Sequence, residues 1–152
     1  MTGLRSAEGA AMSGTVSDRA PEPAGGRHRI LVVDDEESLR RVATRSLERA
    51  GYDVVQAPDG TAALRALQAG HLPIHLVIAD LFMPGIDGLE LQRMAAAAGA
   101  EAPFLLTSGC CEKEVVTRAG GSGTIAFIAK PWTLTELADR VRSMLAAGTE
   151  AA

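Results

Sequence analysis

Nowhere does this chain of 152 residues carry an apolar run near the roughly 18 residues that a membrane span requires, so no transmembrane helix is expected. An excess of positive charge is missing too. Fifteen Lys and Arg stand against 19 Asp and Glu, a formal charge of −4. No broad positive field can hold phosphate backbones or anionic lipid, which argues against nucleic acid and membrane as partners. Cysteine is scarce: Cys110 and Cys111 are adjacent, and a bridge between neighbours would be strained and would close almost no loop. They read as cytosolic thiols. A zinc site would need more ligands in cluster spacing than His28, His71 and His75 supply. The N-terminus has no continuous apolar stretch, only Leu4, Met12 and Val16 scattered among small residues. A secretory signal is therefore not expected, and the cytoplasm is the expected compartment.

What is present suits one soluble core: 47% hydrophobic and 22% charged residues, on a length that fits one domain. Met1 to about His28 is poor in large apolar residues, contains Pro21, Pro23, Gly25 and Gly26, and has no period. Residues 1–28 are expected to form a disordered tail, a partner-binding arm being the alternative. The folded domain is expected over 29–147, with 148–152 as a short C-terminal tail.

Within it, Ile30–Val33, Ile74–Ala79, Phe104–Leu106 and Ile125–Ala129 are short apolar runs without polar alternation, the pattern of parallel strands buried on both faces. Asp53–Ala57, after Gly51, is a weaker fifth. Helical stretches lie between them. Leu39, Val42, Ala43, Leu47 and Ala50 share one face and stop at Gly51, and Leu134, Leu137, Val141 and Leu145 form a stripe near the C-terminus. Asp87 with Glu90 and Thr133 with Glu136 have capping-box spacing and predict helix starts. Strand and helix alternate five times. Right-handed crossovers then give an α/β doubly wound parallel sheet, with its ligand site beyond the carboxyl ends of the strands.

Polar residues fall at those ends. Asp34 and Asp35 follow the first strand, Asp80 ends the third, Thr107 the fourth and Lys130 the fifth. A lone acidic pair there could be a helix cap; five residues converging on one crevice define a site. Three carboxylates repel one another unless a cation neutralises them, and a hard, oxygen-loving ion such as Mg²⁺ is suited to the task. Lys130 adds a fixed positive charge. Phosphoryl transfer needs a positioned nucleophile and neutralised equatorial oxygens, and this set offers both.

The segments Leu31–Glu36 (LVVDDE), Asp80–Gly88 (DLFMPGIDG), Leu106–Gly109 (LTSG) and Phe127–Trp132 (FIAKPW) resemble, in that order, the signature blocks of two-component response-regulator receiver domains, chemotaxis-regulator-like ones included. The resemblance covers about Arg29 to Ala147. It implies a flavodoxin-like (βα)5 fold with strand order 2-1-3-4-5. It makes Asp80 the phosphoacceptor, and Asp34, Asp35, Asp80 and the Phe82 backbone carbonyl the Mg²⁺ ligands. Thr107 and Lys130 would bind the phosphoryl group, with Phe127 the aromatic switch that turns inward behind Thr107. A cis Lys130–Pro131 peptide is also implied, chemically plausible because an X-Pro bond prefers trans by only about 0.5 to 1 kcal/mol. The phosphoryl donor would be a histidine kinase or His-phosphotransfer protein. A downstream protein would meet the face of the fourth helix, fifth strand and fifth helix.

Blander readings stand beside these. Phe127 could be ordinary core and Thr107 a strand hydroxyl with a backbone partner. Met83 and Pro84 turn the chain, while Gly85 and Gly88 supply backbone freedom. His75 is better read as a satisfied histidine than as a phosphorelay donor, and Trp132 as packing or a surface anchor. Only 22 residues follow Lys130, which gives the expectation of a stand-alone receiver. The protein is expected to be a signalling switch that catalyses its own phosphorylation and dephosphorylation, not a turnover enzyme. The alternatives are a phosphorylation-independent pseudo-receiver and an aspartate-nucleophile phosphatase. The latter would want a second Asp two residues after Asp80, where Phe82 stands.

Overall fold

A computed structural model describes residues 26–109, 112–118, 120 and 125–151. The expected tail lies almost wholly outside these residues, as do Cys110 and Cys111. Ten elements alternate: β1 (Arg29–Val33), α1 (Glu37–Arg49), β2 (Asp53–Ala57), α2 (Gly60–Ala69), β3 (Leu76–Asp80), α3 (Gly88–Ala97), β4 (Phe104–Ser108), α4 (Glu112–Arg118), β5 (Phe127–Ala129) and α5 (Leu134–Ala151). All ladders are parallel, in the order β2-β1-β3-β4-β5. The sheet is doubly wound and parallel, as the apolar runs predicted, and its order is the one the family resemblance implied. Among the described residues no helix is long and apolar enough to cross a membrane.

The unbroken apolar runs follow from two core layers. Leu31, Val33, Val77, Ala79, Phe104 and Leu106 pack on one side against Ala63, Leu89, Leu91, Ala95 and Val115 of α2, α3 and α4. Alternate residues Ile30, Val32, Leu76, Ile78, Leu105 and Ile128 pack on the other against Ala43, Leu47, Leu137, Val141 and Leu145 of α1 and α5. With period-two side chains and helices on both faces, successive central positions of β1, β3 and β4 are apolar on both faces. Burying each large side chain stabilises the fold by about 1.5 to 3 kcal/mol.

Local signals set the helix starts. The Asp87 carboxylate accepts the Glu90 N–H at 2.8 Å and the Thr133 hydroxyl accepts the Glu136 N–H at 3.0 Å, as the spacings predicted. Asp59 caps α2 in the same way through the Ala62 N–H at 2.8 Å. α5 continues to Ala151, so most of the short C-terminal tail expected over 148–152 is helical; the alanines there are strong helix formers and one glycine does not end the run.

Some boundaries and exposures differ from expectation. β3 begins at Leu76 and β5 at Phe127, whereas Ile74 and Ile125 pack against the core from the preceding loops. Val42 is 46% exposed and Leu134 45%, both facing an apolar groove shared with Leu39, Pro131 and Trp132 instead of the sheet. Thr44 is buried in α1 without apolar character, its hydroxyl donating to the Arg40 carbonyl at 2.8 Å.

Gly85 has φ +78°, the left-handed conformation expected of it. Gly88 does something else: a Cβ there would lie 2.7 Å from the Asp80 carbonyl oxygen and 3.1 Å from the Leu81 Cα. It permits close approach of α3 to the end of β3. Alanine would otherwise favour the helix by about 0.8 to 1 kcal/mol, so the sign of Gly88→Ala tests this packing. We expect a net loss of about 1 to 3 kcal/mol by chemical denaturation. A stabilised variant would show that the backbone there yields freely.

At the opposite end of the sheet, the His75 Nδ1 accepts the Arg29 N–H at 2.8 Å, and the His75 N–H donates to the Arg29 carbonyl at 2.8 Å. The His28 ring stands edge-on, 5.2 Å between centroids. The histidine is satisfied, as read from the sequence, although it precedes β3. Burial first, then His28 and Arg29, lower its pKa below the ordinary 6.5. The unfolded chain therefore binds protons that the folded one refuses. His75 contributes stability that is present above about pH 6.5 and lost as pH falls toward its folded pKa. The denaturation midpoint should fall between pH 7 and pH 5, and His75→Gln should flatten that slope. An unchanged slope would remove His75 from the acid response.

Candidate functional site

The carboxyl ends of β1, β3, β4 and β5 open on one side of the sheet, and the polar residues singled out in the sequence are carried there. Asp34 follows β1 and is 6% exposed; Asp80 closes β3 and is 8% exposed. Asp35 is exposed beside them. Each of these three residues offers a carboxylate oxygen, and the three oxygens lie within 4.8 Å of one another. Thr107 is buried at the end of β4, paired in register with Asp80, and its carbonyl accepts the Leu81 N–H at 2.8 Å.

Lys130 follows β5. Its N–H donates to the Ser108 carbonyl at 2.8 Å, which fixes the start of its side chain beside β4. The Nζ reaches the Asp80 Oδ2 at 3.1 Å and the Asp34 Oδ2 at 3.4 Å. The other Asp80 oxygen accepts the Phe82 N–H at 3.3 Å, and the Asp34 Oδ1 accepts the Glu36 N–H at 2.9 Å. Lys130–Pro131 is a cis peptide bond.

Burial pushes the Asp80 carboxyl above its usual range, against the opposing pull of Lys130 and with a smaller push from Asp34. Burial alone would lower Lys130, but the Asp80 and Asp34 carboxylates outweigh it and raise the ammonium. Lys130 is thus a fixed cation at neutral pH. Three carboxylates against one ammonium leave the pocket net negative, and the donors are hard oxygens. That set fits Mg²⁺, which takes one or two carboxylates and keeps positions for water and phosphoryl oxygens.

Phe127, in register with Leu106 on β5, is half-buried against the core layer that includes Val115. It touches ordinary core, yet lies two strands from Asp80 on the Thr107 side. Trp132 packs against the other layer. Phe82 projects outward and is 42% exposed.

Two residues missed by sequence reasoning serve this region. Arg40 of α1 donates from Nη1 to the Asp34 carbonyl at 2.7 Å, holding the loop after β1. Arg118, in the last turn of α4, stacks over Phe82 with its guanidinium carbon 4.7 Å from the ring centroid. The same guanidinium lies 3.8 Å from the Asp87 carboxylate. Neither arginine belongs to a motif or a period. Only the fold brings them in.

A doubly wound sheet of this order, with an acidic trio and a lysine at its carboxyl edge, defines a receiver-type α/β domain. Residues 30–142 match the family described as response regulator receiver domain, and the chain belongs to that family. It is a receiver domain of the two-component kind. It is 38% identical over 119 residues to the response regulator MprA of Mycobacterium sp. (strain KMS), covering 77% of this chain and 50% of that protein. The chain spans about half the length of this and other curated relatives that it matches. Among solved structures, the receiver domain of the hybrid histidine kinase CckA is 37% identical with a TM-score of 0.64, covering 77% of this chain and 98% of that one. The Vibrio cholerae chemotaxis protein CheY4 is 25% identical with a TM-score of 0.68, covering 76% and 97%.

Proposed function

We propose that this domain, over residues 29–147, is a Mg²⁺-dependent phosphoacceptor in which Asp80 takes a phosphoryl group from a histidine kinase or His-phosphotransfer protein. The observation that carries this is the position of Asp80, its carboxylate 3.1 Å from the Lys130 ammonium and clustered within 4.8 Å with carboxylate oxygens of Asp34 and Asp35. In the forward step an Asp80 carboxylate oxygen attacks phosphorus, a phosphorus–oxygen bond forms, and the bond to the donor imidazole breaks. Asp34, Asp35, Asp80 and the Phe82 carbonyl would hold the metal. Mg²⁺ would supply neutralisation of charge on the transferring oxygens. Lys130 pairs with one phosphoryl oxygen and the Thr107 hydroxyl donates to another; the Asp80 and Asp34 carboxylates, against burial, raise the Lys130 pKa and favour its charged form before transfer.

The output is a change of partner binding, with Phe127 following Thr107 inward and altering the face of α4, β5 and α5. The compartment is the cytoplasm, where such kinases place their phosphoryl groups. The test is incubation with Mg²⁺ and a small phosphodonor, followed by intact mass. One labile phosphoryl group, lost on chelation, supports the assignment. A folded, unlabelled protein would favour an interaction module that works without phosphorylation.

A further inference from the structure

Among its described side chains, seven-residue α4 buries Val115 as the one fully enclosed, so little described apolar packing fixes it to the sheet. Its last turn nevertheless places one guanidinium against both ends of the loop that leaves the acceptor strand. At the near end is Phe82, two residues beyond Asp80, whose N–H bonds the Asp80 carboxylate. At the far end is Asp87, whose other oxygen caps α3. Arg118 is 43% exposed and the Asp87 side chain 30%, so the ion pair by itself is worth little. Its second contact makes the difference. The ring contacts the guanidinium as well as the carboxylate, and Phe82, although 42% exposed, offers its ring face to the cation.

We propose that Arg118 is a positioning residue that clamps the 82–87 loop over the acceptor, so that α4 and the aspartyl site are mechanically joined through Phe82 and Asp87. The inference rests on Asp80 being phosphorylated. The clamp holds the Phe82 amide and carbonyl in place beside the phosphoryl group and restrains the loop under which water must enter. Loss of the group proceeds when a water oxygen attacks phosphorus, the phosphorus–oxygen bond to Asp80 breaks, and the carboxylate is released with inorganic phosphate. A loosened loop speeds that step. Conversely, any partner that shifts α4 would pull on the loop through the same guanidinium. This route to the acceptor is separate from Thr107 and Phe127.

The experiment follows decay of the phosphorylated full chain by intact mass after the phosphodonor is removed, for wild type, Arg118→Gln, Arg118→Lys, Phe82→Leu and the Arg118→Gln/Phe82→Leu double variant. Arg118→Gln should shorten the lifetime about two- to fivefold, the scale of an exposed cation–π contact, and Arg118→Lys should restore part of it. In the Phe82→Leu background, Arg118→Gln should have little further effect, because the partner ring is gone. Amide exchange in the unphosphorylated protein is the second arm: Arg118→Gln should expose Phe82 and its loop neighbours faster than wild type. Additive effects in the double variant, or an unchanged lifetime, overturn the clamp's role in the reaction. If wild type takes no label, the phosphoacceptor assignment fails and this role fails with it. Exchange then decides the clamp alone: unaltered exchange overturns it, and faster exchange upholds it as a tether of α4.

Discussion

Asp80→Asn is expected to remain at its unmodified mass under conditions in which the wild-type chain gains one phosphoryl group. An amide oxygen is a poor nucleophile, and the substitution also removes one of the three charges that make the pocket attractive to a divalent cation. The loss should be complete and not graded, because phosphoryl transfer depends on an in-line nucleophile for which no neighbour can substitute. Asp34 and Asp35 lie close, but they belong to a different loop. The fold should survive. Burial disfavours the charged Asp80 carboxylate, so a neutral isostere relieves that penalty, and Lys130 keeps Asp34 as a partner. Denaturation curves recorded in parallel separate the two effects. Labelling of the Asn variant equal to wild type would refute the assignment of Asp80.

Lys130→Ala and Thr107→Ala should separate chemistry from response. Removing the ammonium leaves two largely buried carboxylates facing each other without their nearest cation. Labelling should slow about 10²-fold, the usual effect of deleting one preorganised electrostatic stabiliser. Stability without metal should fall by about 1 to 3 kcal/mol, less than for a fully enclosed pair because the Lys130 side chain keeps 20% exposure. Added Mg²⁺ should recover part of it. Thr107→Ala leaves the charges in place and should still accept the phosphoryl group. What it should lose is the phosphorylation-dependent shift around Phe127, since coupling of this kind amounts to about 1 to 3 kcal/mol and depends on the hydroxyl contact. Amide NMR with and without a phosphoryl mimic reads it. A full wild-type shift pattern in Thr107→Ala would mean that the hydroxyl relay is wrong.

The sheet was legible because parallel strands covered on both faces cannot alternate, so Ile30–Val33 and Leu76–Ala79 stand out as unbroken apolar runs. Asp34, Asp80 and Lys130 were legible for a related reason: each is the charged residue that ends or follows such a run. Strand limits were less so. Ile74 and Ile125 are apolar because they pack, and apolarity reports burial without reporting a ladder hydrogen bond. Likewise the stripes on α1 and α5 marked an apolar face correctly, but periodicity says nothing about whether a neighbour covers Val42 or Leu134. Gly88 was read as backbone freedom, when the absent Cβ beside the Asp80 carbonyl is what matters. Arg118 carried no signal. Its partners lie some thirty residues earlier, and a surface arginine in a short helix looks like any other.

Every ladder joins strands that a helix separates: Arg29 pairs with Asp53, Ile30 with Leu76, Val77 with Phe104 and Leu106 with Phe127. No strand can pair with a neighbour through a tight turn, so each pairing must first close a long loop. Relative contact order is raised accordingly, and such topologies fold more slowly than helical bundles of the same size. The contact between Lys130 and Asp34 spans 96 positions, and Lys130 arrives on a three-residue edge strand. A chain in which β5 has not yet docked therefore holds its acidic trio without the lysine. The finished charge balance of the pocket exists only once β5 is in place, and it cannot guide any pairing that forms before that.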